Sequence, residues 1–426
     1  MIFFLRACGA TCAAVLAGLV LVPRVQAADG PARRLTLQQA LEEAFAGSPR
    51  VRAGQAQVEQ AEGRLLAAKT YLFNPELALE AHQRSNGDST TDRGIRLGQE
   101  IEIGGQRRWR AAEAASGLDV ARAGLRREER LLAARVQAVF VEALRLRELR
   151  EVERANAELA RSLAEVARKR LDSGAAAQME VNLAQVQVGR AERDLTLADG
   201  AYDVARSALA EIVGLDPVQP PELDGNLDLP PRRLPPLPEL LAAAEERRAD
   251  LQAFRSATAA ARARIELSRR EAIPNLEVEG FYAREDGTNR LLGGGVKVRI
   301  PVFNRNQGRI AEALGAHREA LASTAAAQLR IRQEVAASLA RYHASHAASL
   351  NLERQVLGTL EENLHLLQRS FEAGKTSWTE VLVFRREFVD AQRDYIDTVT
   401  DARLAGIEFD LACGVSATIN EQESQP

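Results

Sequence analysis

The chain is poor in cysteine, methionine, histidine and aromatic residues, and each shortage removes a class of protein. Of its 426 residues only 3 are cysteine, and two of these, Cys8 and Cys12, lie in an N-terminal apolar stretch, which leaves Cys413 alone. One thiol makes no internal disulfide, so the fold must be stable without one. Met179 is the only methionine after Met1, so a soft thioether relay for copper or silver is not available. His343 and His346 stand at i, i+3 with neither a third histidine nor a carboxylate close in sequence, which favours a solvated helix surface over a metal site. Aromatic residues make up 4%, too few for a large single-chain membrane barrel with two aromatic girdles. No apolar run of about 20 residues follows the N-terminal stretch, which excludes a helical membrane span there. Gly374-Lys375-Thr376 looks like the end of a phosphate loop, but Arg369 stands where the first glycine belongs and a helix precedes it instead of a strand. No Ser/His/Asp arrangement or paired-cysteine motif is readable. The chain is therefore expected to be no enzyme, with no catalytic residue, no metal site and no cofactor.

Met1 to Ala27 has Arg6 in a short n-region, an apolar stretch through Val22 and Val25-Gln26-Ala27 before Ala28, the pattern of a cleaved secretory signal. Without the two leader arginines the formal net charge of −3 becomes −5. That mild acidity gives no support to nucleic-acid binding.

What is present is a repeat. Residues 174–214 recur at 374–414 with a fixed offset of 200: Gly174 matches Gly374, Glu180 Glu380, Val181 Val381, Ala191 Ala391, Arg193 Arg393, Asp194 Asp394 and Gly214 Gly414. Apolar positions follow at steps of three and four, one stripe of a helix in each copy. Eight of the 15 prolines fall between Pro217 and Pro238, which reads as an extended linker. The expected organisation is a signal peptide at 1–27, a first repeat at 28–216, a linker at 217–238, a second repeat at 239–414 and a polar tail at 415–426. Helices are expected at about 36–70, 106–172, 177–213, 237–272, 307–372 and 377–412. Leu350, Leu357, Leu364 and Phe371 recur every seven residues with Leu360 and Leu367 between them, and Val152, Leu159 and Val166 do the same in the first copy. These are coiled-coil seams. Gly174 and Gly374 end the long helices, so each copy folds into an antiparallel hairpin.

Ahead of each long helix the period changes from 3.6 to 2. Leu77, Leu79 and Ala81 alternate with Glu76, Ala78 and Glu80; after Asn86-Gly87-Asp88, Ile95, Leu97, Ile101 and Ile103 alternate with Arg96, Gly98, Glu100 and Glu102. The second copy repeats this over about 276–301, with a turn near Asp286-Gly287. Strands of about 9 residues cross a bilayer when tilted. Four strands do not close a membrane barrel, so oligomerisation is the remedy; a soluble hairpin packed on helices is the plainer alternative.

Asn74-Pro75-Glu76-Leu77, the run Gln99-Glu100-Ile101-Glu102-Ile103-Gly104-Gly105-Gln106-Arg107, Ile300-Pro301-Val302-Phe303 and the duplicated Gly-x-x-x-x-x-Glu-Val turns resemble the TolC family of outer-membrane efflux channels, especially its CzcC-like heavy-metal branch. The resemblance covers nearly the whole chain after the leader. It implies a mainly α fold with a small β part, in which duplicated coiled-coil hairpins and two β-hairpins trimerise into a 12-strand membrane β-barrel and a 12-helix periplasmic α-barrel. It further implies outer-membrane lipid around the strands, a periplasmic adaptor and a proton-driven inner-membrane pump of the RND type. The function implied is export of divalent metal cations; drug efflux and type I protein secretion are rivals, and a soluble periplasmic scaffold or adaptor is the alternative of another class. Gly174, Ala175, Glu180 and Val181, with Gly374, Lys375, Thr376, Glu380 and Val381, are carried over as the tip that the adaptor touches. Simple helix capping by the glycines is the plainer reading.

Asp390, Asp394, Asp397 and Asp401 follow i, i+4, i+7, i+11 and share one helix face. Arg190, Leu197 and Ala201 replace three of them in the first copy, so the stripe is not inherited from the duplication. Facing a lumen it would favour cations; on an outer face it would pair with Arg386 and Arg393.

Overall fold

The long helices follow from sequence runs without an internal breaker, and their ends follow from residues that tolerate positive φ. The computed structural model describes residues 34–86, 88–229, 232–285, 289–353, 358–373 and 375–415; the leader and the C-terminal tail lie outside this range. The first copy runs β1 (Arg34–Thr36), α1 (Leu37–Gly47), α2 (Pro49–Lys69), β2 (Glu76–Asn86), β3 (Asp88–Ile101), α3 (Gln106–Asp172) and α4 (Gln178–Val213). After β4 (Glu222–Asp224) the second runs α5 (Leu237–Arg247), α6 (Ala249–Arg270), β5 (Leu276–Glu285), β6 (Asn289–Val298), α7 (Gln307–Leu352), α8 (Gly358–Glu372) and α9 (Trp378–Cys413).

At 67 residues α3 is unbroken and spans roughly 100 Å at 1.5 Å per residue. It packs along α2, α4, α6 and α9. The helix expected at 307–372 is described as α7 and α8, and Leu357 of the proposed seam lies outside the described residues, as do the side chains of Leu360 and Leu364.

Two expected helices are each two. The run 36–70 divides at Ser48 and the run 237–272 at Arg248, both with extended backbone (φ −66 and −65, ψ 119 and 116). In the first copy the cause is local: Ser48 caps Val51 N–H at 3.4 Å and Pro49 follows at the first helical position. In the second no proline stands there. The Arg248 guanidinium instead holds Glu334 at 2.7 Å and the Ala412 carbonyl at 3.2 Å, besides Asp250, which ties the bend to α7 and α9.

The proline-rich stretch is not merely a spacer. Within it β4 pairs in parallel with β1, Leu35 opposite Leu223. Leu223 and Leu227 are buried in a core with Phe140, Leu144, Tyr202 and Leu209. Arg147 anchors it by donating to the carbonyls of Leu223 and Gly225, at 3.2 and 2.7 Å. A second core, around Leu240, Leu251, Ile331, Val335 and Phe409, serves the second copy.

The remaining strands form one antiparallel sheet in the order β2-β3-β5-β6. Its register sets Leu79 beside Ile95, Ile95 beside Tyr282 and Tyr282 beside Leu292, one apolar rung across four strands. The opposite face carries the charges, with Arg96 bridging Glu80 at 3.2 Å and Lys297 bridging Glu279 at 2.9 Å. The apolar face is unburied: Leu79 is 76% exposed, Leu292 86% and Val296 65%. A soluble hairpin packed on helices would cover that face, so the plainer alternative fails. No described helix is long and apolar enough to cross a membrane.

Candidate functional site at the hairpin tips

The two tips are built alike from the same backbone bonds. In the first, Gly174 takes φ +73 after α3, Ala175 N–H reaches the Arg170 carbonyl at 2.8 Å and Ser173 N–H the Lys169 carbonyl at 3.1 Å. The second repeats these 200 residues on: Lys375 N–H to the Ser370 carbonyl at 2.9 Å and Ala373 N–H to Arg369 at 3.0 Å. These bonds satisfy the last carbonyls of each long helix, the work of a glycine-containing C-cap. Gly374 itself lies outside the described residues.

The next helix starts differently in the two copies. Ser377 accepts from Glu380 N–H at 3.3 Å and Glu380 Oε2 accepts from Ser377 N–H at 2.9 Å, a complete capping box. Ala177 has no hydroxyl to offer, and Glu180 Oε2 is buried without a hydrogen-bond partner among the described residues. The sequence reading missed this box, although Ser-x-x-Glu ahead of an apolar run was its available signal.

Val181 and Val381, expected at the contact surface, are instead 4% and 3% exposed and packed with Leu163, Ala167, Phe371 and Trp378. They hold the two hairpins together from inside, because the i, i+4 position that completes the apolar stripe faces the neighbouring helices. The Arg170 guanidinium lies 4.8 Å over the Phe371 ring, and Phe371 meets Trp378 at 5.5 Å. Ala175, Lys375 and Glu380 are exposed, and Thr376 is half-buried.

Above the tips, α9 is keyed to the first copy by polar groups. Arg393 Nε donates to Glu153 Oε1 at 2.8 Å, and Arg385 donates to Asn156 Oδ1 at 3.2 Å and Gln187 Oε1 at 2.9 Å. Burial pushes the Arg385 guanidinium below its ordinary value. Glu153 and Asn156 are buried amid helical seams, where periodicity gave no hint of them. The structure divides the acidic stripe. Asp390 lies between Arg386 and Arg393, at 3.6 and 3.5 Å, and Asp397 is held by Arg145 at 2.8 Å. Asp394 and Asp401 are exposed and make no ion pair among the described residues. Arg145, held first by Glu142 and then by Asp397, has its guanidinium pushed well above its ordinary value. His343 and His346 flank the buried Tyr342 ring at 6.0 and 5.6 Å. Among the described residues no three His, Cys, Asp or Glu side chains group as a metal site.

Comparison with known proteins returns the same architecture. The model of a family described as outer membrane efflux protein matches twice, over residues 40–215 and 240–414. The cobalt-zinc-cadmium resistance protein CzcC of Cupriavidus metallidurans is 28% identical over 390 residues, 91% of each chain. The pyoverdine export outer membrane protein OpmQ of Pseudomonas putida is 26% identical, covering 88% of this chain and 80% of its own. The crystal structure of the outer membrane protein VceC from Vibrio cholerae superposes with a TM-score of 0.73 at 21% identity, over 89% of this chain and 96% of that one.

Proposed function

Because this chain belongs to the outer membrane efflux protein family, we propose that it carries divalent metal cations out of the cell as the outer-membrane channel of a three-part, proton-driven export system. The carrying observation is the unclosed sheet. β2 and β6 are its edges, and each offers unpaired backbone groups that a bilayer would leave without partners. A second copy satisfies them edge to edge, and three copies of four strands give a 12-stranded barrel with its charged face inward. The same threefold axis gathers the helical hairpins into a periplasmic tube.

The tip reading is narrowed by burial. Gly174, Ala175, Glu180, Lys375, Thr376 and Glu380, with Gly374 outside the described residues, are the residues a periplasmic adaptor would touch, and the buried Val181 and Val381 support them from behind. Cation transport is supported by the similarity to a cobalt-zinc-cadmium resistance protein and by Asp394 and Asp401, the stripe members without an ion pair among the described residues. A second reading, export of a small organic molecule, is favoured by the pyoverdine-exporting relative. Deleting the gene separates the two: sensitivity to cobalt, zinc or cadmium without sensitivity to dyes is expected. Unchanged metal tolerance with lost dye tolerance would replace the first reading by the second. A monomer in mild detergent, measured by light scattering, would overturn the shared barrel.

A further inference from the structure

The outward face of the sheet has a charged edge that transport does not use. The register places Ala81 beside Arg93, Arg93 beside Arg284, and Arg284 beside Arg290, so three adjacent strands each present an arginine in one rung. Strands lie about 4.8 Å apart, so the three backbone positions span roughly 10 Å. The rung below is Leu79, Ile95, Tyr282 and Leu292, and the rung above begins with Gln83 and Thr91. All three arginines are exposed. The carboxylates of these strands at Glu76, Glu80, Asp92, Glu100, Glu277, Glu279 and Glu285 alternate onto the other face, and none of the described residues on the arginine face is acidic.

Like charges directly opposite one another destabilise a sheet. Arginine facing lipid is costly at the bilayer midplane and nearly free at the headgroup level. A rung of three therefore marks the headgroup level, on the side away from the helices, since the strands enter from α2, α3, α6 and α7 at their other end. The planar guanidinium forks suit phosphate oxygens, two bonds at a time.

We propose that Arg93, Arg284 and Arg290 form a lipid-binding collar that takes the phosphate groups of anionic glycolipid in the outer leaflet. The proposal rests on the barrel reading, which supplies the membrane. In a trimer nine arginines would ring the barrel just above its apolar band, fixing its depth in the membrane.

The test uses the full-length protein in detergent with diphosphorylated lipid A as the probe, the bound copies counted by native mass spectrometry. The triple variant Arg93→Gln, Arg284→Gln, Arg290→Gln should bind lipid A at least tenfold more weakly than the parent, while both float equally on phosphatidylcholine vesicles. Lipid A stripped of its phosphates should bind both proteins alike. Equal binding of the diphosphorylated lipid by parent and variant would overturn the collar. Displacement of that lipid by inorganic phosphate at the same phosphate concentration would make the rung a free-anion site and also overturn it. If neither protein floats on the neutral vesicles, the barrel fails and the collar with it.

Discussion

The two copies share a backbone and differ in what holds each joint of it. The bend between the paired short helices comes from Ser48-Pro49 in the first copy and from Arg248, bonded to three elements, in the second. The start of the returning helix is bare at Ala177 and boxed at Ser377. The turn into the long helix uses Gly105 at φ +73 in one and Asn306 at φ 60 in the other, two residues for which left-handed backbone is least costly. Duplication thus preserved the geometry while the means of securing it drifted. At the bend, where the second copy has neither the serine nor the proline, the long-range contacts of Arg248 stand in their place.

The largest test of that asymmetry lies at the tip core. Phe371 is fully buried where the first copy has only the half-buried Leu171. Phe371→Ala should cost about 3–5 kcal/mol and Leu171→Ala distinctly less, read as loss of hydrogen-exchange protection in α8, α9 and the end of α3. Equal losses would mean that the two tips share one core evenly.

Next comes the bend. Arg248→Ala leaves Asp250 half-buried and should cost about 3 kcal/mol, whereas Pro49→Ala should cost under about 1 kcal/mol. Burial pushes the Asp250 carboxyl up, but the bond from Arg248 pulls it further down, to a net value below the ordinary one. The pair's contribution is then complete above about pH 4 and is lost as pH falls through the lowered folded value. Denaturant titrations across that range should show a steeper acid loss in the parent than in Arg248→Ala; identical profiles would remove the pair from the account.

The smallest effects are at the helix starts. Ser377→Ala should destabilise its tip by about 1 kcal/mol, and Ala177→Ser should stabilise the other by about 0.5 kcal/mol, because a hydroxyl there adds a side-chain cap beside the Ala177 carbonyl that Glu180 N–H already reaches at 2.9 Å and lets the box form. Hydrogen exchange at the first turns of α4 and α9 reads both, and changes of the same sign would contradict the assignment. Cys413 supplies a folding reporter for the series. Burial pushes its thiol up to about 11, so alkylation at neutral pH should follow unfolding, and rapid labelling of the native protein would contradict its place in the second core.

Much of the architecture was legible in the sequence. The 200-residue offset, the change of period from 3.6 to 2 and the glycines after the long helices place six helical runs and two hairpins where they occur. The Ser48-Pro49 break and the Ser377-Glu380 box had local signals that helical periodicity masked. Arg248, Glu153 and Asn156 had none, because each acts on a partner more than eighty residues away. The acidic stripe shows the same limit. Spacing aligned the four carboxylates on one face, but which of them stay unpaired depends on arginines of α3 as well as α9.

Sequence alone thus determined the period of each segment, its breakers and the duplication, since these depend on backbone stereochemistry and on neighbours within a few residues. Tertiary structure decided which residues of the tip are surface and which are core, which carboxylates are neutralised, and that three arginines from two different hairpins share one rung. Those outcomes turn on register and on helix facing, and both are set only when separate parts of the chain meet.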